Sequence, residues 1–127
     1  MRKATVIFWS RDDAVKAAAT VEVAETVSDR VKGLSNRKEV PEGTGMLFRP
    51  ASTFWMRDTL VPLDLIYVLN NRIIKQLNMP VPETGKPLKS YGLPEGASDY
   101  AIEFPEGWLK KRNVKEGDKV TILEEKK

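Results

Sequence analysis

Apolar and polar residues alternate with a period of two along much of this chain, the spacing of strands that hide one face. Ala4 to Trp9 is rich in β-branched and aromatic residues, Arg11-Asp12-Asp13 supplies a turn, and Thr20-Val21-Glu22-Val23-Ala24 alternates apolar with polar. The chain therefore opens with a hairpin. The alanines of the Ala14 to Ala19 stretch favour a helix by propensity, but a helix there would stop abruptly against a clear strand. One long second strand is the expectation.

Met46-Leu47-Phe48, Thr53 to Arg57, Leu65 to Leu69, Arg72 to Leu77, Tyr100 to Phe104 and Lys119 to Leu123 read as further strands. Asn70-Asn71 suits a tight turn between two of them, because asparagine tolerates positive φ. Two short helices complete the set. Thr26 can cap the first, with Asp29 at its third position, Val27, Val31 and Leu34 on one face, and Gly33 ending it in a left-handed conformation. Gly107 to Arg112 is the second.

Strand parity places Val21, Val23, Leu47, Phe54, Met56, Leu65, Tyr67, Ile102, Phe104, Val120 and Ile122 inside, and Trp55 with Arg57 outside. The fold class expected is α+β and mainly antiparallel β, a curved sheet or partial barrel with two short helices. Met79 to Asp99 interrupts the pattern with four of the eight prolines and three of the eight glycines. Irregular stretches of that length are uncommon in compact domains unless they are lids, binding loops or disordered. We see no internal repeat, and 127 residues suit one globular domain spanning 1–127 with one core.

Composition narrows the chemistry by what is missing. There is no histidine and no cysteine, so disulfides, thiolate nucleophiles, zinc-thiolate sites and imidazole bases are excluded. Catalysis would have to run on carboxylates, Lys, Tyr or hydroxyls, and a metal would have to be a hard cation held by oxygens; no metal site and no cofactor is expected. A net charge of +3 over 21 basic and 18 acidic residues is a small imbalance, and Lys110-Lys111-Arg112 lacks interleaved aromatics, so nucleic acid is not an expected partner. No apolar run approaches about 18 residues, and the Ala4 to Trp9 run is too short for a secretory leader. The expected location is cytoplasmic, with no membrane partner.

Phe54 to Asp64 is the most informative segment, since it compresses large apolar groups, a cation and two carboxylates around Pro62. Asp58 and Asp64 would lie about 20 Å apart on an extended chain, so only a turn could bring them to the spacing of paired catalytic carboxyls. Capping the turn or accepting backbone hydrogen bonds is the more economical role for each. Trp55 and Arg57 share a strand face and could together hold a planar or sugar-like ligand. Arg37 beside the first helix could bind an anion or pair with a neighbouring acid. No Gly-x-Gly-x-x-Gly or phosphate-cradling loop is present.

Arg30-Val31-Lys32-Gly33-Leu34, Arg37, Gly45-Met46-Leu47-Phe48, Phe54-Trp55-Met56, Asp58-Thr59, Pro62-Leu63-Asp64 and Tyr100-Ala101-Ile102-Glu103 occur together and in order. In this the chain resembles the domain of unknown function 192 family, over roughly residues 20–122. The resemblance implies a compact, mostly β domain with short helices and carries no established reaction. The sequence departs from the family pattern in Arg57, commonly Lys there, in Asp58, commonly Asn, and in Ser35, often Met. A position that accepts both Asp and Asn does not suit obligatory proton transfer.

The function expected is therefore noncatalytic binding of a small molecule or protein partner. Arg37, Trp55, Arg57, Asp58, Asp64 and Tyr91 are the candidate ligand contacts, and the 79–99 segment covers the site. The alternative is a carboxylate-based hydrolase using Asp58, Asp64 or Glu103, with a hard metal ion as its possible aid.

Overall fold

The computed structural model describes residues 1–51 and 53–124. The opening hairpin joins β1 (Lys3–Trp9) to β2 (Val15–Ala24), and the alanine run is strand. Tertiary context decides it: Ala17 and Ala19 are buried directly opposite Phe8 and Val6, while Ala18 and Thr20 face out. Small residues across from large ones let the layer fill without overpacking. Helix α1 (Val27–Lys32) then carries the chain over to β3 (Thr44–Phe48), which runs parallel to β2.

The remaining pairings are antiparallel. Strand β4 (Leu63–Leu69) turns through Asn70-Asn71, both at positive φ, into β5 (Arg72–Met79). After the long excursion, β6 (Tyr100–Pro105) inserts between β3 and β4. Helix α2 (Trp108–Lys111) leads to β7 (Lys119–Glu124), which pairs with β1. The order β1-β2-β3-β6-β4-β5-β7 closes into a ring. The expected curved sheet thus curls fully round, although β5 and β7 share only the register pair Arg72–Lys119.

The apolar residues form two clusters, one more than expected. Val6, Phe8, Val21, Val23, Leu47, Ile66, Ile102 and Phe104 belong to the first, joined by Trp108 and Leu109 of α2. Phe104 stacks on Trp108 with centroids 5.2 Å apart and meets Phe8 edge-on at 5.8 Å. The intervening residues Met46, Phe48, Leu65, Tyr67 and Ala101 point to the other side of the sheet, where Leu34, Phe54, Met56, Met79 and Tyr91 cover them. The parity expectation holds for burial, with Ile122 only partly covered. It assigned one core, however, where β3, β4 and β6 are dry on both faces.

Three local expectations are corrected. Thr53 to Arg57 is not a strand: Phe54 makes an isolated bridge to Tyr91, and the chain then turns at Asp58, with Thr59 N–H donating to the Met56 carbonyl. Burial still alternates, with Phe54 and Met56 covered and Trp55 52% exposed. Gly33 has positive φ, but its ψ of −134° is extended rather than left-handed helical. The expected apolar face of α1 is also left open, since only Leu34, beyond the helix, enters a core while Val27 and Val31 stand in solvent.

Gly45 on β3 shows how tightly this region closes. A Cβ there would stand 2.2 Å from the backbone oxygen of Glu103 on β6, a separation that only movement of the ladder could relieve. Gly45→Ala is expected to cost about 3 kcal/mol or more. Chemical denaturation checks this, and a variant within about 0.5 kcal/mol of wild type would show that the β3–β6 approach is loose.

Candidate functional site

The exposed valines of α1 form one wall of a groove of about 310 Å³. Thr26 fixes that wall: its Oγ1 accepts from Asp29 N–H at 3.0 Å, and the Asp29 carboxylate accepts from Thr26 N–H in return. This capping box lets a six-residue helix hold its position. Arg30 donates to the Glu25 carbonyl at 2.7 Å, which ties its guanidinium near the helix start. The opposite wall is Thr53, Phe54, Trp55, Arg57 and Thr59. The Arg57 guanidinium lies 5.6 Å from the Trp55 ring centroid, as a cation–π pair.

Phe48 and Glu103 also line the groove, from the outer face of the sheet. Glu103 sits mid-strand on β6 between Met46 of β3 and Leu65 of β4, and only 4% of it is exposed. A Cβ on Gly33 would come within 3.8 Å of Glu103 Oε1, so the end of α1 passes close to this carboxyl. Among the described residues no hydrogen bond or ion pair reaches the carboxyl, and burial alone pushes its pKa from 4.5 up to about 8. Glu103 is therefore mostly protonated at neutral pH. Tyr67 beside it is pushed up to about 12, first by burial and then by the Glu103 charge.

Of the candidates read from the sequence, Trp55, Arg57 and Glu103 meet at this groove. Asp58 does not line it; it occupies the adjoining turn at positive φ, where its carbonyl accepts from Asn36 N–H at 2.7 Å. Asp64 serves α2 and β5 instead, Oδ2 accepting from Gly107 N–H at 2.8 Å and Oδ1 from the Asn78 amide at 2.9 Å. Arg37 is paired with Glu22 at 2.5 Å. Tyr91 bridges Phe54 and borders a separate hollow together with Met56, Pro80 and Lys89. No residue of the 79–99 segment lines the groove, so the expected cover is absent and the segment instead contributes Tyr91 and Leu93 to the outer cluster. The three candidate carboxyls thus do not converge, and among the described residues no three acidic side chains group to hold a metal.

Sequence reasoning missed Val27, Val31 and Gly33 as groove residues because their spacing is equally that of a buried helix face. The signal available was length: six residues are too few to bury a full apolar stripe.

The family profile described as DUF192, "Uncharacterized ACR", matches residues 8–122. The chain belongs to the DUF192 family. Two solved structures share the DUF192 chain's fold. A candidate transcription regulator from Sinorhizobium meliloti 1021 matches with a TM-score of 0.77 and 24% identity, over 94% of this chain and 93% of that one. A protein of unknown function from Novosphingobium aromaticivorans DSM 12444 gives a TM-score of 0.70 and 26% identity, over 92% and 83%. No curated protein matches this DUF192 chain significantly. No helix among its described residues is long and apolar enough to cross a membrane.

Two measurements follow from these environments. Because folding raises the Glu103 pKa from 4.5 to about 8, the folded state holds a proton that the unfolded chain has lost between those values. Its contribution is fully present below pH 4.5, declines as pH rises, and levels off above pH 8. Glu103→Gln is expected to remove this decline, whose slope approaches about 1.4 kcal/mol per pH unit; parallel stability curves for variant and wild type would show Glu103 to be ionised in the fold. Asp64→Ala, which leaves the Gly107 N–H without its acceptor, is expected to cost about 1–3 kcal/mol, and Asp64→Asn less. Equal denaturation midpoints for all three proteins would refute that role.

Proposed function

We propose that this chain is a binding domain that holds a small amphipathic molecule in the groove between α1 and the 53–59 segment, without transforming it. The observation that carries the reading is the lining itself. Val27, Val31 and Trp55 are 68%, 70% and 52% exposed and all border the groove. Large apolar groups gathered around a concavity, with a few convergent polar groups, are the usual make-up of a ligand site. Arg30, Lys32 and Arg57 supply charge at the walls.

Binding requires fewer coincidences than hydrolysis here. A two-carboxyl mechanism needs its acid and base within about 10 Å across a bound substrate, and Glu103 is the one candidate carboxyl in the groove. Asp64 is already engaged by two donors elsewhere.

The test is a thermal-shift screen of small amphipathic molecules against wild type and Trp55→Ala. A ligand at a hundredfold over its Kd is expected to add about 2.7 kcal/mol. Trp55→Ala is expected to weaken binding about tenfold or more while leaving the melting temperature of the free protein nearly unchanged, since the indole is half exposed. Undiminished affinity in that variant would place the site elsewhere. Product formation by wild type that stops in Glu103→Gln, with binding retained, would make the chain an enzyme.

A further inference from the structure

The carboxyl of Glu103 is a buried groove feature that a purely apolar ligand would leave unanswered. A protonated carboxyl offers one O–H donor and a carbonyl acceptor, and among the described residues neither is used. A polar group largely screened from water is destabilising where it lacks a partner, so a ligand that supplies one gains both affinity and orientation. Gly33 carries no side chain at the point where the end of α1 passes Oε1.

We propose that the groove takes an apolar monocarboxylate, whose body lies against Val27, Val31 and Trp55 and whose carboxylate shares the Glu103 proton. The inference rests on the binding reading above and adds the chemical class of the ligand. Charge decides between the possible head groups. An ammonium would suit an ionised Glu103, but Arg30, Lys32 and Arg57 line the same groove and oppose a cation. An anion is drawn in by those three side chains. At the floor it meets a carboxyl able to donate, and two carboxyls sharing one proton form a short, charge-assisted hydrogen bond.

No other acid competes for that proton. From β4, Tyr67 faces Glu103 and keeps its own proton well above neutral pH. On the same outer sheet face, Glu22 of β2 stands two strands away across Met46 and is neutralised by Arg37. Of the charged residues on α1 and the 53–59 segment, the cations Arg30, Lys32 and Arg57 line the groove, while Asp29 and Asp58 do not. The shared proton therefore belongs to Glu103 and the ligand alone. Above the range where Glu103 holds it, two carboxylates would face each other in a buried site, and the complex would break.

The experiment titrates octanoate, octanamide and octylammonium into the whole protein between about pH 6 and pH 10, following Trp55 through the difference in fluorescence between wild type and Trp55→Ala. Octanoate is expected to bind best, with constant affinity below about pH 7.5 and a loss of about tenfold per pH unit above pH 8. In Glu103→Gln the amide still donates but has no proton to lose, so octanoate affinity is expected to stay level across the range. The wild-type profile is decisive by itself if that variant does not fold. Octylammonium binding more tightly than octanoate, octanamide binding as tightly at every pH, or an octanoate affinity that stays flat to pH 10 would each overturn the carboxylate class and leave the groove reading standing. If none of the three probes changes the Trp55 signal, the groove reading falls with it.

Discussion

The structure depends on a sheet segment that must be kept dry on both faces. Curling into a ring hides one face of every strand, and for β1, β2 and β7 that is largely enough, because their outward residues are exposed or only partly covered. Strands β3, β4 and β6 carry apolar residues at successive positions, as in Met46-Leu47-Phe48 and Leu65-Ile66-Tyr67-Val68. Their outer side chains need a second layer. The chain provides it with irregular segments: Phe54 packs edge-on against Phe48 at 4.9 Å and Tyr67 at 6.2 Å, and Tyr91 pins Phe54 through reciprocal backbone hydrogen bonds. Burying aromatic side chains of this size contributes about 1.5–3 kcal/mol each, enough to order loops that have no ladder of their own.

That second layer explains which parts of the fold the sequence announces. Strands with one wet face are legible because alternation reports the dry side, as along Thr20 to Ala24. The Asn70-Asn71 turn and the Thr26 cap are legible because each rests on a local backbone requirement met by a specific side chain. The 53–57 segment misleads for a physical reason. Its alternation is genuine, but it arises from resting on the outer cluster and not from pairing in the sheet, so parity survives while the strand does not. The groove is half legible: Trp55 and Arg57 stand out as an aromatic beside a cation, whereas Val27 and Val31 carry the pattern of a core helix and line a cavity instead. Nothing local to Tyr100-Ala101-Ile102-Glu103 says that its glutamate is buried without a partner. That follows only once β3 and β4 flank it and α1 crosses above.

Glu103 places a polar requirement inside an apolar layer. Well-packed sheets satisfy or avoid such groups, and a leucine at this point would suit the surrounding Phe48, Met46 and Leu65. Keeping a carboxyl there makes the fold less stable at neutral pH than an apolar side chain would. The burial that raises its pKa also sets this carboxyl apart from a surface anion, which would stay ionised at neutral pH.

The β5–β7 junction gives the ring a different mechanical character from that suggested by its closed order. Apart from Arg72–Lys119, the two edges are held near the turns, where Ile73 N–H donates to the Asp118 carbonyl and Gly117 N–H to the Ile73 carbonyl, with Asp118 anchored by Lys16 at 2.7 Å. Farther along, Gln76 N–H takes the Glu116 side chain in place of a strand partner. A hollow of about 360 Å³ begins beside this junction, bounded by Asn71, Tyr100 and Thr121, and among the described residues the buried Tyr100 hydroxyl finds no acceptor there. In effect the molecule is a rolled ribbon clasped at one corner. The seam of this clasp carries a single register pair, where three join β3 to β6 and six join β6 to β4 beneath the groove.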